Sequence, residues 1–206
     1  MYSVFYILPE IFLSLAIMFL LMLGVFTKKN FNLINLLTIL SLIFATALVL
    51  NQSDEVTKIF NESYIIDKLS IFMKVLTLLF CLFVLLSSKY YLKNVKIDKI
   101  EYPIIILAST LGMLIMISSF DLIVFYLGLE LQSLSLYILA SFKREDERST
   151  EAGLKYFVLS ALASGILLYG CSLIYGFTGS TNFDVISQNL NETNTGAVFG
   201  IVFIIV

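Results

Sequence analysis

The chain is poor in the residues from which catalytic and redox centres are built. Histidine is absent, and only two cysteines occur among 206 residues. Cys81 and Cys171 each lie alone in an apolar run, so no His/Cys metal cluster, CxxC redox pair or His-based triad can form. We interpret both cysteines as small hydrophobic residues that pack against lipid or neighbouring helices. Phosphate-binding glycine loops, paired catalytic carboxylates and nucleophile motifs are also missing, so the sequence predicts no catalytic centre, metal site or bound cofactor.

Charged residues are scarce as well. They make up 14% of the chain, whereas hydrophobic residues make up 59% and the mean hydropathy is +0.97, values unlike those of a soluble domain. The apolar residues form blocks of about 20 residues, the length at which a helix crosses about 30 Å of hydrocarbon. No basic tract suggests a nucleic acid partner. The composition therefore predicts an all-α protein, a polytopic bundle of transmembrane helices in a lipid bilayer.

The apolar blocks predict six complete spans and the start of a seventh. They are residues 4–26, 31–50, 68–88, 102–118, 121–141, 152–176 and 195 onward. The last run begins near Gly196 and continues for about ten residues, too few to cross a bilayer. We therefore expect the N-terminal part of a longer protein, truncated at 206. Residues 1–100 would hold helices 1–3 with their loops, and residues 101–206 would hold helices 4–6 and the beginning of helix 7.

Basic residues predict the orientation, because Lys and Arg in short loops accumulate on the cytoplasmic side. The first, third and fifth loops hold most of them: Lys28, Lys29, Lys89, Lys93, Lys96, Lys99, Lys143, Arg144 and Arg148. The fourth and sixth loops contain neither Lys nor Arg. The pattern predicts an N-terminus outside and a solvated outer connection from Ser180 to Thr195. We interpret the mixed-sign run Lys143–Arg148 as a solvated cytoplasmic loop, with docking of a partner as the alternative.

Glu130 is the main candidate for a functional residue. It lies near the middle of the fifth span, about 15 Å from either end, too deep for a carboxylate to reach the headgroups. Tyr126 precedes it by four residues, and Ser133 and Tyr137 follow it by three and seven, so one face of an apolar helix becomes a polar stripe. A water file beside the carboxylate would make Glu130 a proton relay, whereas the alternative is a glutamate that only ties helices together.

The sixth span begins with a second candidate, Lys155. Glu151 precedes it by four residues, the favourable order for a helical ion pair, and Lys155 can also extend toward the cytoplasmic interface. The sequence leaves open whether it is an interfacial anchor or part of a charged path with Glu130, from which it is separated by about 12 Å of depth. Small residues four positions apart weakly favour close helix approach on this span. They are Ser160 with Ser164 and Ala161 with Gly165.

Two other ionisable residues lie near the predicted outer ends of spans. Lys74, one to two turns inside the third span, is expected to extend outward to the interface. Glu10, beside Pro9 near the outer end of the first span, is expected to touch water. We interpret both as structural.

Two stretches resemble a known family. They are Phe120–Tyr137, which reads FDLIVFYLGLELQSLSLY, and Arg148–Val158, which reads RSTEAGLKYFV. Both are similar to the subunit N family of the bacterial proton-pumping NADH:quinone oxidoreductase, respiratory complex I. The resemblance implies an antiporter-like inverted-repeat fold whose first repeat starts within residues 101–206. It also implies that Glu130 is the key glutamate of the fifth helix and Lys155 the sixth-helix lysine, both in proton translocation.

The resemblance further implies a non-redox subunit of a translocase in the bacterial inner membrane. Electrons would pass from NADH through flavin and iron–sulfur clusters to quinone, such as ubiquinone, in partner subunits. The chain itself would bind no cofactor and would contact neighbouring antiporter-like and small membrane subunits. A cation/proton antiporter subunit of the same fold is the alternative, and a purely structural membrane spacer is a third hypothesis.

Overall fold

The computed structural model describes residues 6–26, 30–52, 56–95, 97–190 and 195–205. Eight helices are found in these ranges: α1 Leu8–Phe26, α2 Phe31–Leu50, α3 Lys68–Asn94, α4 Glu101–Ile117, α5 Leu122–Ala140, α6 Glu147–Thr178, α7 Phe183–Asn189 and α8 Thr195–Ile205. Two short antiparallel strands, β1 Thr57–Ile59 and β2 Tyr64–Ile66, form a hairpin between α2 and α3. The predicted all-α transmembrane architecture is confirmed, since α1, α2, α3, α5 and α6 are long and apolar enough to cross a membrane. Among the residues used above, 4 and 5, Lys28, Lys29 and Lys96 lie outside the described ranges.

Aspartates begin three of the long helices. Asp67 accepts a hydrogen bond from the backbone of Ser70, whose hydroxyl accepts one in return, and this capping box starts α3. Asp121 and Asp146 cap α5 and α6 by accepting hydrogen bonds from backbone N–H groups of the first turn. The loop predicted over Lys143–Arg148 is therefore shorter than expected, because the cap at Asp146 starts α6 at Glu147.

The buried apolar side chains form two clusters. The larger one joins α1, α2, α3 and α4, with Leu13, Ile34, Leu78 and Leu107 fully buried. The smaller one joins the start of α5 to α6, α7 and α8 and includes Cys171, in line with a packed, unreactive cysteine. Many large apolar side chains point away from both clusters, as expected for helices that face lipid.

Glycines allow two close helix contacts. A Cβ on Gly112 of α4 would lie 2.8 Å from the carbonyl oxygen of Gly128 on α5. A Cβ on Gly170 of α6 would lie equally close to the carbonyl oxygen of Gly200 on α8. The predicted close approach at Gly165 is not found, because no described atom lies within 4 Å of its Cβ position. A further close contact lies near the N-terminal end of α6, where a Cβ on Gly153 would overlap the Cβ of Ser141.

One end of the bundle is closed by three connections that we call the hairpin cap: the β1–β2 hairpin, the α4–α5 turn and the segment between α6 and α7. Backbone hydrogen bonds join Ile65 to Ser118 at 2.8 Å, and further bonds join Phe120 to Ser63 and Leu122 to Thr181. The segment predicted as a solvated connection over 180–195 contains a short helix, α7, on which Ser187, Gln188 and Asn189 are exposed. Residues 191–194 of that connection lie outside the described ranges.

Candidate functional site

Glu130 lies half-buried in the middle of α5. Its Oε1 is fully buried and receives no hydrogen bond from the described residues. The nearby contact between Gly112 and Gly128 holds α4 against this part of α5. A buried carboxylate oxygen without a partner is costly, and groups of this kind occur where a water molecule or a mobile partner binds.

The polar stripe predicted around Glu130 is present on α5, but its members point to different partners. The Tyr126 hydroxyl lies 3.0 Å from the Ser164 hydroxyl and so connects α5 to α6. The Ser133 hydroxyl donates to the backbone carbonyl of Glu130 at 3.1 Å, not to its carboxylate. Tyr137 is buried, and its ring packs edge-on against Tyr156 with centroids 4.8 Å apart. Tyr126 and Tyr137 therefore contact α6, and Glu130 Oε1 remains without a hydrogen bond from the stripe.

Lys155 forms the helical ion pair with Glu151 that the sequence suggested. Their charged atoms are 2.6 Å apart, and the side chains are 66% and 62% exposed in the isolated chain. The structure does not bring Lys155 to Glu130. An exposed pair on a surface helix contributes little to stability, so the geometry leaves Lys155 open to solvent, lipid or a neighbouring chain.

A second group of ionisable residues is buried together, and the sequence interpretation missed it. The Lys74 ammonium lies 2.7 Å from Glu10 Oε1, and the Tyr64 hydroxyl donates to the same oxygen at 2.6 Å. Lys74 also lies 2.9 Å from the Tyr64 hydroxyl and 5.0 Å from the centre of its ring. We call these three residues the Glu10 triad. Burial, followed by the negative charge of Glu10, raises the pKa of Tyr64 above its ordinary value.

The expectations for Glu10 and Lys74 were wrong. Lys74 does not extend to the interface, since its side chain is 0% exposed, and Glu10 is not open to the outer surface, since it is 4% exposed. The hairpin folds over the ends of α1 and α3, and Tyr64 closes the space above both charges. The signal was the spacing of Lys74 between Ser70 and Leu78, which places it on the buried face of α3.

An exposed charge cluster fastens the outside of the hairpin cap. Lys58 of β1 forms an ion pair with Asp184 of α7, lies 3.9 Å from Glu62, and stands over the ring of Phe120. The hydrogen bond to Asp184 raises the pKa of Lys58. These contacts connect the hairpin to the second helix cluster.

Sequence comparisons match two parts of the chain to respiratory families. Residues 119–206 match the family described as NADH:quinone oxidoreductase/Mrp antiporter, and residues 11–96 match the amino terminus of NADH-ubiquinone oxidoreductase chain 4. NADH-quinone oxidoreductase subunit N of Pelagibacter ubique is 58% identical over 202 residues, which are 98% of this chain and 43% of that protein. The chain belongs to the antiporter-like membrane subunit family of NADH:quinone oxidoreductase. Subunit N of Rhodospirillum rubrum is 48% identical over 96% of this chain and 42% of that protein.

Solved structures place the fold in the same family. A chain of respiratory complex I from Thermus thermophilus, determined with bound Aureothin, superposes with a TM-score of 0.79 at 26% identity, covering 96% of this chain and 42% of that one. A chain of an archaeal membrane-bound sulfane sulfur reductase gives 0.85 at 21% identity, covering 98% of this chain and 43% of that one; this likeness concerns the fold alone. The chain spans about two fifths of the length of the curated relatives it matches.

Proposed function

We propose that this chain is part of a proton-translocating membrane subunit of a bacterial NADH:quinone oxidoreductase, in which Glu130 carries the proton. The observation that supports it is the buried, unpaired Oε1 of Glu130 in the middle of α5, in a chain 58% identical to a subunit N. The subunit is a non-redox part of the enzyme, without a catalytic centre of its own. NADH, flavin, iron–sulfur clusters and quinone act in partner subunits.

The chemistry follows from the position of the carboxylate. A carboxylate in a low-dielectric environment binds a proton when no cation is near and releases it when a cation approaches. Tyr126, Ser133 and Tyr137 line the same helix face and would support water beside Glu130. The path would enter near Lys155, pass along the α5–α6 contact and reach Glu130, with internal water connecting the charged groups.

The orientation and partners follow from the distribution of charge. The basic loops would face the cytoplasm, and the N-terminus and hairpin cap would face the outside of the inner membrane. The exposed apolar faces of the helices would contact lipid and neighbouring membrane subunits of the complex. Lys155, exposed in the isolated chain, would then lie at such a contact or in a water-filled entry.

A cation/proton antiporter subunit is the second candidate, because the family that matches residues 119–206 includes Mrp antiporters. The curated relatives compared above are all subunits N and favour the first candidate. The two differ in what drives transport. Pumping that requires quinone reduction supports the first candidate, whereas exchange of sodium for protons without electron transfer supports the second.

The test is Glu130→Gln in the full-length subunit within the intact complex. Proton uptake into inverted membrane vesicles, quinone reduction and complex assembly are measured together. We expect normal assembly with pumping and turnover both reduced at least tenfold. Ser135→Ala is the matched control, because that hydroxyl lies on the same helix outside the polar stripe and donates to the carbonyl of Leu131, so its loss should have a much smaller effect. Normal pumping in an assembled Glu130→Gln complex would refute the assignment.

A further inference from the structure

The Glu10 triad lies in the larger helix cluster beneath the hairpin cap, and its hydrogen bonds and ion pair do not involve Glu130. Its members come from α1, β2 and α3, so the chain brings three distant sequence positions together around a single carboxylate oxygen. A buried ion pair of this kind is weak evidence for stability, because removal of two charges from water offsets much of their attraction. The arrangement therefore calls for an explanation other than packing.

Only one of the two carboxylate oxygens of Glu10 accepts the hydrogen bonds of the triad. Glu10 Oε1 accepts from both Lys74 and Tyr64, whereas Oε2 is buried and accepts nothing from the described residues. A pair that served only to hold α1 against α3 would gain most if both carboxylate oxygens were bonded. The second oxygen is instead left to a small ligand.

Three more buried oxygens in segments next to the triad have no hydrogen-bond partner among the described residues. They are Gln52 Oε1, Thr57 Oγ1 and Ser118 Oγ. The Gln52 side-chain amide donates to the backbone carbonyl of Tyr6, which lies four residues before Glu10 and just ahead of α1. Thr57 lies beside β2 because its strand, β1, pairs with β2. Ser118 lies beside β2 because its carbonyl accepts a hydrogen bond from the backbone N–H of Ile65. Buried polar atoms without protein partners commonly bind internal water.

We propose that Glu10, Lys74 and Tyr64 form a second proton-exchanging site, hydrated by internal water beneath the hairpin cap. A proton that arrives through water at Oε2 converts the carboxylate to a carboxylic acid and leaves the Lys74 ammonium without its counter-charge. Loss of the proton to the same water restores the ion pair. Tyr64 is a positioning residue, since its hydroxyl holds Oε1 toward Lys74 and leaves Oε2 for water.

The site has a direct connection to the helix that carries Glu130. Tyr64 pairs with Ser119, and the next residue, Phe120, donates its backbone N–H to Ser63 at 2.9 Å. The α4–α5 turn thus lies against the strand that closes the triad. This inference rests on the proposed function, because a second proton site has meaning only in a subunit that moves protons.

The decisive variant removes both charges together, as Glu10→Gln with Lys74→Met in the full-length subunit of the intact complex. Loss of the pair as a unit leaves no uncompensated buried charge, so assembly should be retained. We expect proton uptake into inverted vesicles to fall at least fivefold. Wild-type pumping and turnover in the assembled double variant would overturn the inference and leave the triad as a packing feature.

The matched control is Thr38→Val. Thr38 is a fully buried polar residue in the same helix cluster, and its hydroxyl donates to its own helix at Asn35. It should assemble and pump normally. Glu130→Gln, measured in parallel, separates the two proposals: normal pumping in that variant refutes the proposed function, whereas normal pumping in the triad variants alone refutes only this inference.

Tyr64→Phe keeps the inference testable if the double variant does not assemble. It keeps the ring and the ion pair and removes one hydroxyl. We expect normal assembly with pumping reduced at least threefold, and wild-type pumping would overturn the inference. High-resolution electron microscopy of the wild-type complex gives an independent readout: water within 3.2 Å of Glu10 Oε2 supports the site, and a protein donor there refutes it.

Discussion

Gly112 of α4 lies directly against Gly128 of α5, so that a Cβ built on Gly112 would stand 2.8 Å from the Gly128 carbonyl oxygen. The same atom would stand 2.7 Å from the backbone nitrogen of Gln132. Because both neighbours are backbone atoms, neither can rotate away, and the helices must separate to accept any side chain. Glu130 lies between Gly128 and Gln132 in sequence, so such a separation changes its surroundings directly.

Gly112→Ala should therefore destabilise the complex despite the better helix propensity of alanine. Overpacking of this kind costs about 1–3 kcal/mol. The measurement is the thermal inactivation midpoint of the purified complex. Gly165→Ala is the matched control, because its Cβ would meet no described atom within 4 Å. A midpoint for Gly112→Ala at or above that of wild type would mean that the two helices do not touch as described.

The hydrogen bond between Tyr126 and Ser164 connects the Glu130 helix to α6 and can be measured by a double-mutant cycle. Tyr126→Phe and Ser164→Ala each remove one hydroxyl. We expect a coupling of about 0.5–1.5 kcal/mol, the usual net contribution of a hydrogen bond. The readout is the unfolding or inactivation free energy of the four variants. Strict additivity would show that the contact is not made in the complex.

Loss of only one charge from the Glu10 triad should be far more damaging than loss of both. Lys74→Met leaves the Glu10 carboxylate buried without a counter-charge, a defect that typically costs about 3–5 kcal/mol. We expect little assembled complex in membranes, measured by blue native electrophoresis. Adding Glu10→Gln to the same chain should restore assembly. Equal assembly of the single and double variants would contradict the buried pair.

The Lys155–Glu151 pair should behave in the opposite way. Both side chains are mostly exposed, so Glu151→Gln should change stability by less than about 0.5 kcal/mol and leave pumping intact. Lys155→Met should assemble but lower proton uptake into inverted vesicles several-fold, as expected for a member of the charged path. Full pumping by Lys155→Met would assign the lysine to the interface.

The Lys58–Asp184 pair on the hairpin cap predicts a particular pH dependence. The pKa of Lys58 is raised from 10.5, so its stabilising contribution is complete below the unfolded pKa and is lost only as pH rises through the higher folded pKa. Lys58→Met should thus increase the rate of backbone amide exchange in β1 relative to wild type, and by the same factor at pH 7 as at pH 9. A protection difference that disappears at pH 9 would contradict the raised pKa.

The sequence prediction rested mainly on two features, the length of the apolar runs and the position of polar residues within them. The long helices appear where blocks of about 20 apolar residues predicted them, and Glu130 lies near the middle of its helix as expected. Helix ends were less accurate. The aspartate cap at Asp146 starts α6 five residues before the predicted 152, since hydropathy alone does not register a capping residue.

The hairpin and the Glu10 triad escaped prediction for connected reasons. The turn between β1 and β2 has three consecutive residues at positive φ, Phe60, Asn61 and Glu62, and contains no glycine, so the usual hairpin signal is missing. Because the hairpin was not predicted, no segment was expected to shield Glu10 and Lys74 from solvent. Their side chains were therefore expected to point toward the outer interface. Both charges are buried because contacts with the α4–α5 turn hold the hairpin in place, so that Tyr64 lies against Glu10 and Lys74.

The hairpin cap fixes where the two helix clusters can move apart. Backbone hydrogen bonds cross between the hairpin, the α4–α5 turn and the segment after α6. At the other end, the α3–α4 and α5–α6 connections meet through side chains, with Lys99 and Tyr102 against the ring of Phe142. Movement of α5 and α6 against α1–α3 at the cap would break backbone hydrogen bonds, whereas movement at the opposite end would break only side-chain contacts of the described residues.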